Sequence, residues 1–180
     1  MPRDGLPGAI WGLESAIRWY IVTPEMADHR QEDAIQRFKE RCREQGIPFT
    51  VQRRRTYEVL LARADHPTAD QVYEDARAVL PGVSRMTVYR VLELLGSLGL
   101  VRKVCHPGSA VRFDPNLRRH HHLICHRCNR LIDFEEASLD ELDAPPAARR
   151  AGFKVDDHVV QFRGTCSECE SADKTPEEAP

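Results

Sequence analysis

The sequence predicts an α+β protein in two parts, an N-terminal winged helix-turn-helix domain followed by a small α/β domain closed by a structural zinc. Three observations predict it. Apolar residues recur at helical spacing through residues 31–98 and give way to two short strand-like runs. From residue 120 the chain turns to runs rich in branched aliphatics, the composition of strands. Two Cys-x-x-Cys pairs, Cys125/Cys128 and Cys166/Cys169, bracket that second part.

Residues 1–30 read as an N-terminal extension, with Met26 an alternative start. Residues 31–45 set Ile35 and Phe38 among charges, a short amphipathic helix stopped by Gly46 and Pro48. A second helix is expected from Arg53 to Ala64, burying Val59 and Leu60. In the third, Thr68 and Gln71 form a capping box and Pro81 ends the helix. The fourth starts at Ser84, an N-cap, and buries Val88, Val91, Leu92, Leu95 and Leu98 at i, i+3, i+4, i+7 spacing. Two short runs around His106-Pro107-Gly108-Ser109 then form a β-hairpin, the wing. These elements, residues 31–113, make a winged helix whose fourth helix enters the DNA major groove.

Residues 114–119 break the pattern and read as a hinge to a second domain, 120–170. There HHLICH, RLIDF and HVVQFRGTC read as strands, and LDELDAPPAARRAG as one helix with Pro145-Pro146 in its first turn and Gly152 closing it. Residues 171–180 are acidic and poor in large apolars, a disordered tail.

A chain of 180 residues with 41% hydrophobic and 30% charged content has an ordinary soluble composition. Its apolar runs are too short to span a bilayer, and no export signal is legible, so a cytoplasmic protein away from membranes is expected. The net charge of −2 hides an asymmetry. Residues 50–113 carry ten Lys/Arg against six Asp/Glu, or +4; residues 114–180 carry nine against fourteen, or −5. Nucleic acid would face the basic half.

Four cysteines in two knuckles suit one tetrahedral Zn²⁺ with no place left for water, a structural site. The competing reading is a thiol redox sensor. Cys42 and Cys105 stand outside the pairs and read as incidental. A zinc hydrolase or deaminase would need an open metal position and a His-x-Glu that the chain lacks, so no enzyme is expected. His120 and His122 alternate, so on a strand they share a face; Asp114 lies upstream and Asp133 on the next strand. Such a nitrogen and oxygen set suits Fe²⁺, Mn²⁺ or Zn²⁺ with open geometry.

Over residues 31–170 the chain resembles the ferric uptake regulator superfamily of bacterial metal-dependent repressors. The motifs that carry the resemblance are TVQRRR, HPTADQVY, SRMTVYRVLELL, VRFD, HHHLICHRCNRLIDF and GFKVDDHVVQFRGTCSEC. The resemblance implies a homodimer on double-stranded operator DNA, with a C-terminal dimerisation domain stapled by zinc. It implies a regulatory Fe²⁺ or Mn²⁺ site at His66, Asp114, His120, His122 and Asp133, and a third site around His121, Asp140 and His158. Arg119 stands where iron-uptake members often carry His. It also implies DNA contacts by Thr87, Tyr89 and Arg90, while Arg53, Arg54 and Arg55, with Arg102, Lys103 and Arg112 on the wing, are expected on phosphates. With Asp at both acidic positions the pattern is similar to the peroxide-sensing subgroup (PerR), in which bound Fe²⁺ reacts with hydrogen peroxide and oxidises its own histidine ligands, here His66 and His120. The alternatives are an iron-responsive regulator, or a zinc- or manganese-responsive one.

Overall fold

The computed structural model describes residues 24–105 and 110–173. Four helices come first: α1 (Pro24–Glu44), α2 (Val51–Leu61), α3 (Ala69–Val79) and α4 (Arg85–Ser97). The strands β1 (Arg102–Val104) and β2 (Arg112–Asp114) follow, then β3 (His121–Cys125), β4 (Leu131–Phe134), the short helices α5 (Ala137–Asp140) and α6 (Pro146–Arg150), β5 (Gln161–Gly164) and α7 (Ser167–Asp173).

The first helix begins at Pro24, inside the stretch expected to be an extension, and buries Ala34, Phe38 and Cys42 at every fourth position. Cys42 is therefore a core residue and not an incidental one, and burial pushes its thiol pKa up. The helix ends as expected at Gly46, whose φ of 64° lets the Gly46 and Ile47 N–H groups donate back to the carbonyls of Arg43 and Cys42. Phe38 meets Phe49 and Tyr57 edge-on at centroid distances of 5.3 and 5.5 Å.

Thr50 caps α2 by accepting from Arg53 N, so the helix starts at Val51 instead of Arg53. It stops at Leu61, three residues early, and in the turn that follows Arg63 pairs with Asp65 and Asp75. Thr56, Tyr57 and Leu60 face the core; Val59 is only half-buried. The Thr68–Gln71 capping box and the Ser84 N-cap form as the sequence predicts. Val88, Val91, Leu92 and Leu95 are buried, while Leu98 becomes the half-buried C-cap of α4. One hydrophobic core runs through α1–α4 and takes in Phe113 from β2.

Strands β1 and β2 pair antiparallel, Arg102 opposite Asp114, as the expected wing; its turn, 106–109, lies outside the described residues. A backbone bond from Phe113 N to Pro67 O, 2.9 Å, and a bridge between Thr68 and Arg112 fasten the wing beside the segment that enters α3. Asp114 is the last residue of β2 and fully buried, so the linking segment starts after it.

In the second part the sheet order is β4-β3-β5, with β3 antiparallel to β4 and parallel to β5. The expected single helix over 139–152 is two: α5 ends at Asp140, and α6 begins only at Pro146. Pro145 is the cause, since it lacks an N–H and holds an extended ψ of 145°. Gly152, at φ 78°, closes α6 as expected. The last strand covers only Gln161–Gly164; just before it Val160 O accepts from His122 N–H, and Val160 N–H donates to the His121 ring. Residues 171–173, expected in a disordered tail, are the final turn of α7; the rest of that tail and residues 1–23 lie outside the described residues. Ile124 and Leu131 of this sheet pack with Val104 of the wing in a small buried cluster, and Leu123, Phe153 and Phe162 are left exposed.

Candidate metal centres and nucleic-acid interface

The four paired cysteines converge where β3 ends and α7 begins. Strand β3 ends at Cys125, and Asn129, in the left-handed region at φ 57°, turns the chain so that Cys125 N–H can donate to Arg130 O. Cys166 and Cys169 stand at the start of α7. All four sulfurs lie within 4.8 Å of one another, and none is in a disulfide. Cys128 Sγ and Cys166 Sγ are 3.7 Å apart. Thiolates about 2.3 Å from a shared tetrahedral Zn²⁺ would be about 3.8 Å apart, so the spacing fits zinc. N–H groups of Cys128 and Cys166 aimed at Cys125 pull its pKa down to about 5, while its sulfur neighbours, Cys166 first, push Cys169 up to about 12. A ready thiolate at Cys125 beside a protonated thiol at Cys169 suits proton release on metal binding. Arg130 and Glu168 tie the two knuckles together with contacts of 2.6 and 2.5 Å.

A second cluster sits between the two parts of the chain. His66, with φ 51°, is a rare non-glycine in the left-handed region, held there by Arg112, which donates to the His66 carbonyl at 2.9 Å. Its Nε2 lies 2.7 Å from Asp133 Oδ1, and that same oxygen is 3.5 Å from His120 Nε2 and 3.6 Å from His122 Nε2. Asp133 owes its place to the register of β3 and β4, which sets it opposite His122. His120 and His122 do share a face, their Nε2 atoms 3.1 Å apart. Donor atoms of His66, His120, His122 and Asp133 all fall within 4.8 Å of one another. Asp114 adjoins this group, 3.0 Å from His120 and 3.8 Å from His66.

Several of these buried atoms have no well-formed hydrogen bond: both ring nitrogens of His66, Asp114 Oδ2, His122 Nδ1 and Asp133 Oδ1. Converging imidazoles and carboxylates left unsatisfied in a buried place fit a divalent ion that accepts nitrogen and oxygen donors. Burial, then the neighbouring His120, depress His122 to about 4, so its ring is neutral and one ring nitrogen keeps a lone pair that a cation can take. Burial acts against protonation of His120 too, but Asp114, Asp133 and the Arg118 carbonyl outweigh it and raise its pKa. Burial works to raise the Asp133 carboxyl; His66, His120 and the Asn116 amide more than offset it.

Sequence reasoning missed the supports of this cluster. Asn116 donates through Nδ2 to Asp133 Oδ2 at 3.2 Å, and its backbone N–H donates to Asp114 Oδ1 at 2.7 Å. The available signal was Asp114-Pro115-Asn116, an Asx-turn sequence. Arg112 was expected on DNA phosphates; instead its guanidinium points inward to the carbonyls of Asp65, His66 and Asn129. Arg102 likewise turns to the carbonyls of Leu117 and Arg118.

His121, Asp140 and His158 are also brought near one another, with Arg119 among them. His121 Nε2 is 3.3 Å from Asp140 Oδ1, and the His121 and His158 rings stack at 6.4 Å.

On the outer side of α4, Met86, Tyr89, Arg90 and Glu93 project opposite its buried stripe. Arg53, Thr87 and Arg90 line one cleft between the start of α2 and α4, with Thr50 and Gln52. Tyr89 stands outside it, 39% exposed. Thr87 is partly engaged, its hydroxyl 2.8 Å from that of Ser84. Arg54 and Arg55 both pair with Glu58, and Lys103 pairs with Glu93. Their cationic ends remain at the surface.

The comparisons agree with this geometry. The model of the ferric uptake regulator family matches residues 44–163. The peroxide operon regulator of Bacillus subtilis is 35% identical over 144 residues, covering 80% of this chain and 96% of that protein. The peroxide-responsive repressor PerR of Staphylococcus epidermidis is 32% identical over 145 residues, covering 81% and 93%. Among solved structures, a zinc-bound manganese uptake regulator superposes with a TM-score of 0.55 at 27% identity, covering 71% of this chain and 97% of that one. The Helicobacter pylori ferric uptake regulator does so at 0.68 and 20% identity, covering 82% and 96%. With two thirds of its length matched, and its winged helix joined to a small sheet domain that carries the two donor clusters, this chain belongs to the ferric uptake regulator family.

Proposed function

We propose that this chain is a metal-dependent, DNA-binding transcriptional repressor that senses hydrogen peroxide, working as a cytoplasmic homodimer rather than as an enzyme. The observation that carries the reading is the meeting of His66, from the helical half, with His120, His122 and Asp133, from the sheet, within 4.8 Å. Two curated relatives that bear peroxide-responsive names support the sensing role.

Cys125, Cys128, Cys166 and Cys169 would hold a structural Zn²⁺, and His66, Asp114, His120, His122 and Asp133 a regulatory Fe²⁺ or Mn²⁺. Fe²⁺ at the second site would supply redox chemistry with peroxide, and the resemblance to peroxide-sensing members puts its targets at His66 and His120. The protein's own part is mechanical. His66 precedes α3, Asp114 ends the wing, and the other three sit on the sheet, so drawing the five together fixes the angle between the halves. That angle sets whether the two α4 helices of a dimer can reach successive major grooves. Losing His66 as a donor loosens the helical half, since no other donor of the four-residue group lies there and Asp114 of the wing would be left as its one remaining ligand. Tyr89, Arg90 and Thr87 would read or orient on the groove, with Arg53 and Arg54 on phosphates. The exposed Leu123, Phe153 and Phe162 would be covered by the second copy.

The test loads the purified protein with Fe²⁺ or Mn²⁺ and treats each with low peroxide. The expected result is operator release from the iron form only, with oxygen added to the peptides holding His66 or His120. Release without histidine modification would replace peroxide sensing with simple metal sensing, the iron-responsive reading. Release that instead follows reversible disulfides among the paired cysteines would mark a thiol sensor.

A further inference from the structure

Beyond the two donor clusters, a third group of titratable side chains gathers where β3 begins, α5 ends and the chain approaches β5. His121 is fully buried, while Asp140 and His158 are half-buried. The guanidinium of Arg119 reaches into this group. Its Nε is 3.2 Å from Asp140 Oδ1, and its Nη2 is 3.5 Å from Asp157 Oδ1 and donates to His158 Nδ1 at 3.0 Å. We propose that Arg119 is the resident cation of the His121–Asp140–His158 cluster and keeps divalent metal out of it.

Charge and lone-pair accounting both support this. The guanidinium already supplies the counter-charge for one of the two carboxylates it faces, and an arginine stays protonated at any pH the folded protein meets. His158 has both nitrogens in use: Nδ1 accepts from Arg119, which leaves Nε2 as the donor to the Leu139 carbonyl at 2.6 Å. Val160 N–H donates to His121 Nδ1 at 3.3 Å, so the proton of the neutral ring sits on Nε2, the atom turned toward Asp140. Neither imidazole then offers a metal a free lone pair. His121 Nε2 and Asp140 Oδ1 nevertheless face each other, buried and without a well-aligned hydrogen bond, so this is where an ion would enter if the guanidinium were removed. In the parent chain Arg119 instead fastens the start of β3 to the end of α5 and to the 157–158 segment by charge, a clasp that needs no metal supply.

The inference does not depend on which ion fills the His66 cluster, because the comparison is between variants carrying the same background sites. Full-length protein is titrated with Zn²⁺ against a competing chelator while the imidazole ¹⁵N signals of His121 and His158 are followed. In the parent those two signals stay put through saturation. Arg119→His takes up a further ion per chain, which shifts both signals, and adding Asp140→Asn removes that gain. Zinc-dependent shifts of His121 and His158 in the parent would overturn the proposal, and so would an Arg119→His chain with parent-like circular dichroism that gains no ion. If Arg119→His does not fold, Asp140→Asn in the otherwise unaltered chain decides: an unchanged metal count supports the clasp, and loss of an ion ends it.

Discussion

Asp133 Oδ1 is approached by three imidazoles at 2.7, 3.5 and 3.6 Å, and its other oxygen takes a hydrogen bond from Asn116. Anchoring one oxygen leaves the other aimed into the cluster, which is how outer partners set ligand geometry. Asn116→Ala is therefore expected to weaken Mn²⁺ binding by about tenfold, with the cysteine-bound zinc unchanged; chelator competition measures both. Acid acts on the same residues. His122 titrates at about 4 in the folded chain, below the roughly 6.5 of a free imidazole. Between those values the unfolded chain takes up a proton that the folded one refuses, so the His122 contribution to stability is complete above about 6.5 and is lost as pH falls toward 4. His120, shifted upward, works in the opposite sense, its contribution present in acid and lost as pH rises through its folded value. Unfolding of the metal-free protein followed across this range should therefore show His122→Asn to be less sensitive to acid than the parent. Equal sensitivity would deny His122 its buried, neutral role.

At the scale of elements, α4 divides its labour between two faces. Val88, Val91, Leu92 and Leu95 lock it into the core, and Tyr89 and Arg90 are left outward. Tyr89→Ala should reduce the preference for operator over random duplex with little loss of stability, measured by competition binding at fixed salt; unchanged preference would remove Tyr89 from the reading face. Arg54→Ala should lower affinity for all sequences and flatten its salt dependence. Its contact with Glu58 makes that loss smaller than for an unpaired arginine. Ser84 orients the whole helix through its bond to Thr87 N, and Ser84→Ala should cost about 1 kcal/mol in denaturant unfolding. The caps of α3 and α4 were legible in the sequence because a cap is chemistry between residues three apart, whereas the Thr50 cap of α2 came to light with the structure. The split into α5 and α6 was less so: periodicity ran across Pro145-Pro146, and a tandem proline can either open a helix or interrupt one.

For the molecule as a whole, the two metal centres are expected to fail differently. Among the described residues the sheet domain contributes just Ile124 and Leu131 to its small apolar cluster, the third member being Val104 of the wing, so the cysteine site is expected to carry much of its folding. Stripping zinc should melt the sheet signal in circular dichroism, whereas a mild chelator that empties only the His66 cluster should leave the fold intact and release operator DNA. Operator held equally tightly after that mild treatment would disconnect the cluster from DNA binding.

The winged helix, the cysteine knuckles and the facing of His120 and His122 could all be read from residue order, because each depends on neighbours a few positions apart: a cap, a knuckle, a strand alternation. The regulatory pentad was reached through likeness to other chains, since nothing local joins His66 to Asp133. Their meeting depends on the Phe113–Pro67 bond, the β3–β4 register and the Asx turn at Asp114 acting together. The inward turn of Arg112 and the clasp of Arg119 were hidden for the same reason. A long cation takes whichever partners the folded chain brings within its reach, and those partners come from segments distant in sequence.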